Sequence, residues 1–116
     1  MIEILYSRRS LCMGDDVYNG LCRIELPDGA VLGDLVETVL RGGNGNERPV
    51  PMTSEIGWIL CADVGILADV SADKKRVTYR ISDENAALAP LGIRWVFGER
   101  EGVTPDLALI GRSHFA

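Results

Sequence analysis

Apolar and polar residues alternate along residues 2–7, with Ile2, Ile4 and Tyr6 on one side and Glu3 and Ser7 on the other. A period of two is that of a strand with one buried face. The alternation returns at 21–26, where Cys22, Ile24 and Leu26 point inward and Arg23 and Glu25 outward. Between the two lies MGDDVYNG, rich in the glycine, aspartate and asparagine that turns require. The pattern predicts an antiparallel hairpin with a wide connection.

The period then changes. After the turn Pro27-Asp28-Gly29, the residues Leu32, Leu35, Val36, Val39 and Leu40 follow the i, i+3, i+4, i+7, i+8 spacing of a helix with one apolar stripe. Asp34 and Glu37 lie early in it, where carboxylates complement the helix dipole, and Arg41 lies at its far end. Gly42-Gly43 follows and predicts the stop, since glycine takes the left-handed cap conformation without a Cβ penalty. Residues 42–55 lack periodicity, and connections of that length are often functional.

Further on, Trp58–Cys61 and Ile66–Val70 read as strands separated by Gly65, and Val77–Ile81 as a third, rich in β-branched and aromatic residues. Ser82–Asn85 reads as a cap for a short helical turn at Ala86–Leu91, ended by Gly92; Ile93–Phe97 reads as the last strand. In the tail, Thr104-Pro105-Asp106 predicts a cap with proline at the first helical position.

This order of elements resembles the β-grasp fold of ubiquitin and the bacterial sulfur-carrier proteins. The resemblance is carried by ELPDGAVLGDLVETVL (25–40), WILCADVGILADV (58–70) and ALAPLGIRWVF (87–97). It implies an α+β domain over residues 1–98, a mixed sheet of four or five strands packed on one main helix, followed by a tail, 99–116, that is either docked or partner-binding. The helix stripe and the inward strand positions would form the core, joined by Trp58, Leu60, Tyr79, Trp95 and Phe97. Those families act through a C-terminal glycine pair. Here the chain ends Arg112-Ser113-His114-Phe115-Ala116, and Leu40-Arg41-Gly42-Gly43 stands mid-chain. The modifier chemistry is therefore not expected, because fold does not imply function.

The totals narrow the function classes. A chain of 116 residues with 47% hydrophobic and 25% charged residues fits one globular domain. Net charge is −5 and the basic residues are scattered, which argues against nucleic acid as a partner. Lys74-Lys75-Arg76 reads as a solvated turn. No segment approaches the about 18 apolar residues of a membrane helix, and MIEILYSRRS has its charges in the wrong order for a secretory signal. Three cysteines, Cys12, Cys22 and Cys61, make no disulfide framework, so a reduced, cytoplasmic location is expected.

Candidate chemistry is sparse. Gly42–Gly45 follows a helix instead of opening one and lacks the lysine of a phosphate loop. The cysteines and the single histidine, His114, have no zinc spacing, and Asp15, Asp16 and Asn19 lack the ligand pattern of a calcium loop. No cofactor or metal is expected. Cys22 and Cys61 fall on apolar strand positions, whereas Cys12 lies near Arg8 and Arg9, which would lower a thiol pKa. Arg8, Arg9, Cys12, Asp15 and Asp16 are the candidate binding residues: they form an internal ion pair across the turn, or the arginines capture a carboxylate or phosphate. The tail carries Leu107, Leu109, Ile110 and Phe115, which must dock on the domain or serve a partner. The reading that follows is a small non-enzymatic interaction module. It would bind another protein, or a second copy, through a sheet edge, the 42–55 loop or the C-terminal tail. The alternative is a small enzyme or anion-binding protein using Arg8, Arg9 and Cys12.

Overall fold

The apolar stripe forms helix α1 (Leu32–Leu40), with Leu32, Leu35, Val36 and Val39 buried. Its first N–H groups are satisfied by the chain beyond, not by a side-chain cap: Leu32 donates to the Ala86 carbonyl at 2.9 Å and Gly33 to that of Glu84 at 2.8 Å. The Asp34 carboxylate accepts the Val31 N–H at 3.0 Å. At the other end Gly42 donates to Val39 and Gly43 to Thr38, both at 2.9 Å, the two bonds of a Schellman cap. Gly42 and Gly43 have φ of 88° and 108°. At Gly43 glycine is required twice over, because a Cβ there would run into the Cys22 sulfur. The LRGG tetrapeptide is a helix stop packed against the hairpin.

The computed structural model describes residues 1–9, 21–43 and 55–115. Within them the fold is α+β: a six-stranded mixed sheet and two helices. The strands are β1 (Ile2–Arg8), β2 (Cys22–Leu26), β3 (Trp58–Ala62), β4 (Gly65–Val70), β5 (Val77–Tyr79) and β6 (Trp95–Arg100), in spatial order β2-β1-β6-β3-β4-β5. β1 and β2 pair antiparallel, Ile4 opposite Ile24, as the alternation predicts. β1 and β6 run parallel, and every other neighbouring pair is antiparallel. A bulge between Leu60 and Cys61 of β3 lets Leu67 and Ala68 of β4 both face the same core. A short 3-10 turn at Ala89–Leu91, closed by Gly92, precedes β6.

The sheet is covered on both sides, and here the structure departs from the expectation of four or five strands on one helix. One face, with Ile4, Tyr6, Ile24, Trp58, Leu60 and Val96, packs under α1. The other carries Cys61, Trp95 and Phe97 and is covered by a second helix, α2 (Leu107–His114). Trp95 and Phe97 thus belong to a separate cluster, because odd-numbered β6 positions project away from α1. Tyr79, expected in the core, is only half-buried at the sheet's far edge. No helix among the described residues is long and apolar enough to cross a membrane. Most of the 42–55 connection lies outside the described residues.

Candidate functional site

The second face of the sheet is assembled from strand alternation. Leu5 and Ser7 lie on β1 with Arg9 just beyond its end, Trp95, Phe97 and Glu99 on β6, and Cys61 on β3. α2 lies across them. Its first turn is fixed by the Asp106 carboxylate, which accepts the Leu109 N–H at 3.1 Å. The cap is therefore Asp106, two residues beyond the Thr104 that the sequence suggested. Ile110 is buried at the centre of the contact. Phe115 stacks on Trp95 with ring centroids 4.8 Å apart, and His114 sits 4.6 Å from the Phe97 ring. Leu107, Ile110 and Phe115 of the tail thus pack on their own sheet, while Leu109 is exposed.

α2 divides this face into two unlike flanks. The first is closed. The Arg9 guanidinium forks onto the Glu99 carboxylate, with Nη2 to Oε2 at 2.8 Å and Nε to Oε1 at 3.2 Å. The Arg100 N–H completes Glu99 at 2.9 Å. Glu99 is 1% exposed. Burial pushes its pKa up, but Arg9, the Arg100 amide and the neighbouring positive charge outweigh it and hold the carboxyl below its ordinary value. Arg9 also lies over the Phe97 ring, 5.3 Å from its centroid. Cys61 donates to the Phe97 carbonyl at 3.4 Å; burial, then Glu99, pushes its thiol pKa to about 12. A thiol so raised carries almost no thiolate at neutral pH and is a poor nucleophile.

His114 borders the same flank. Burial, and then the Arg9 charge, lowers its pKa, while Glu99 opposes them. Since the unfolded chain binds the proton more readily, stability is full above the ordinary histidine value of about 6.5 and declines as pH falls below it. Urea midpoints measured from pH 7.5 to 5.5 should fall, and His114→Gln should flatten the profile in that window.

The second flank is open. Leu5, Trp95, Leu107, Ala108, Gly111 and Phe115 line a groove of about 500 Å³ whose rim carries Asp63, Arg94 and Arg112. Asp63 fixes Arg94, accepting its backbone N–H at 3.1 Å and its Nε at 2.9 Å. That arrangement leaves both Nη groups of Arg94 without an acceptor among the described residues, and the Arg112 guanidinium likewise has none. Gly111 of α2 lies against Trp95 on the groove wall. A Cβ at Gly111 would reach Trp95 no closer than 3.5 Å, an ordinary contact, so packing does not demand glycine. Glycine inside a helix costs up to about 1 kcal/mol relative to alanine. Gly111→Ala should therefore raise the unfolding free energy by about 0.5–1 kcal/mol, read from a denaturant midpoint at unchanged slope.

The residues singled out from sequence fare unequally. Arg8 and Arg9 point to opposite faces: Arg8 lies over the Trp58 ring on the α1 side, 5.9 Å from its centroid, and its Nη1 donates to the Arg9 carbonyl at 3.0 Å. Adjacent strand positions cannot converge on one anion. Arg9 is engaged by Glu99 across the sheet, a partner that lies 90 positions away in the chain. Cys12, Asp15 and Asp16 lie outside the described residues. Trp95, Arg94, Asp63, Gly111 and Arg112 were not singled out as a site; the one signal available was a glycine interrupting the apolar tail. Among the described residues no group of His, Cys, Asp and Glu side chains could hold a metal ion. No family model matches the chain, and no curated protein or solved structure matches it.

Proposed function

We propose that the chain is a small, non-enzymatic protein-interaction module of the cytoplasm, built on a β-grasp-like frame extended by the C-terminal helix. Its binding surface is the open flank of α2, the C-terminal option among the three surfaces that the sequence raised. The observation that carries this reading is the asymmetry of the two flanks. On the closed flank Glu99 is engaged by Arg9 and Cys61 by the Phe97 carbonyl. On the open flank an apolar groove runs beside a glycine that packing does not require, and two arginines offer donors with no acceptor among the described residues. Apolar pockets with a few convergent polar groups are where binding is expected, and stability forgone at a site is a mark of function. The hairpin, crossing helix and parallel β1–β6 centre support the β-grasp-like description. The test is affinity purification from the source cells of tagged wild type and of Gly111→Leu, which fills the groove. A protein retained by the wild type and lost from the folded variant supports the reading. Equal retention by both moves the interface elsewhere, and a turnover activity that survives Gly111→Leu would contradict a non-enzymatic module.

A further inference from the structure

Trp95 is 8% exposed, yet its indole N–H has no acceptor among the described residues. Buried donors are nearly always paired, so an orphan calls for a partner. The position of this one is informative. Nε1 lies beside Gly111, 3.7 Å from where a Cβ would stand, on the wall of the α2 groove. The same groove is flanked by the Nη groups of Arg94 and by Arg112, which have no acceptor among the described residues, in a chain whose net charge is −5. One uncharged donor and two guanidinium groups border a space lined otherwise by Leu5, Leu107, Ala108, Gly111 and Phe115, and by Asp63, which is paired with Arg94. All three are donors; the complement is an acceptor carrying negative charge.

Resting on the reading above, we propose that the groove recognises a partner segment in which an apolar side chain stands next to a carboxylate. The carboxylate accepts from the Trp95 N–H and from the arginines, and the apolar side chain lies in the groove against Leu5, Leu107 and Phe115. A carboxylate suits planar, forked guanidinium donors, and burial of the apolar body supplies the remaining attraction. Asp63 contributes by repelling a carboxylate placed elsewhere on the rim while it holds Arg94 in position.

The probe is N-acetyl-phenylalanine, which joins an aromatic side chain to a carboxylate, compared with its neutral amide. Both are titrated into the full chain labelled with ¹⁵N, and the two indole N–H resonances are followed, Trp95 being assigned from Trp95→Phe. The acid should move the Trp95 resonance saturably and leave that of Trp58 in place. The amide should bind roughly tenfold or more weakly, the factor expected of a charge-assisted hydrogen bond. Arg112→Gln should weaken the acid and leave the amide unchanged. Equal binding of acid and amide overturns the carboxylate assignment while leaving the groove as a binding surface. No shift with either probe overturns the proposal, and the groove reading then stands or falls on Gly111→Leu alone. A shift with dodecanoate but not with N-acetyl-phenylalanine overturns the peptide-like occupant in favour of a lipid.

Discussion

Arg9→Ala should lower the unfolding free energy by about 2–4 kcal/mol at neutral pH. Removing one partner of a buried ion pair leaves an uncompensated charge and costs about 3–5 kcal/mol. The figure is reduced here because the Arg9 side chain is 39% exposed and because the Arg100 amide still serves Glu99. The pH dependence identifies the cause. In the wild type the Glu99 pKa is held below its ordinary value, so its contribution is present above that value and is lost as pH falls through the folded one. In Arg9→Ala burial acts with less opposition and the carboxyl rises, so protonation relieves the variant on acidification. The difference between wild type and variant should shrink from pH 7 toward pH 5 and not grow. Replacing both partners, Arg9→Met with Glu99→Leu, should recover most of the loss, since no buried charge remains. Denaturant titrations across that range check each statement.

Gly43→Ala should cost about 2–5 kcal/mol, from two additive sources. A left-handed backbone costs alanine about 1–2 kcal/mol, and the contact with the Cys22 sulfur adds an overpacking penalty of about 1–3 kcal/mol. Cys22→Ala removes the obstruction but not the φ of 108°. The double variant should therefore be less destabilised than the sum of the singles, with the backbone part of the loss remaining. Gly42→Ala, at φ 88°, is the companion measurement of the backbone penalty. A Gly43→Ala protein as stable as the wild type would remove the helix stop as the account of LRGG.

The local layout was legible because it is written in periods. Ile2, Ile4 and Tyr6 against Cys22, Ile24 and Leu26 predict a hairpin whose register the structure shows, and the stripe from Leu32 to Leu40 marks the bounds of α1. What was not legible is which face a strand residue serves once the sheet is covered twice. Trp95 and Phe97 are apolar and β-like wherever they point. Only the parallel pairing of β6 with β1 sends them away from α1, and pairing at long range has no local signature. The same gap hid the partner of Arg9. Asp15 and Asp16 were near it in sequence, whereas Glu99 reaches it through the sheet. The groove was hidden for a related reason. Arg94, Asp63 and Arg112 come from a strand end, a turn and the last helix, and no spacing links them. Gly111 alone was a clue, since a glycine among Leu107, Leu109 and Ile110 weakens the helix that those residues otherwise favour.

Everything proposed for function depends on α2 lying across Trp95 and Phe97 in solution. Nuclear Overhauser contacts in the free, full-length chain measure this directly. Cross-peaks from the Phe115 ring to the Trp95 indole, and from the Ile110 methyls to Phe97, are the expected result. Residues 107–115 giving no contact to either ring, with the fast amide motion of a loose tail, would contradict it and take the groove away.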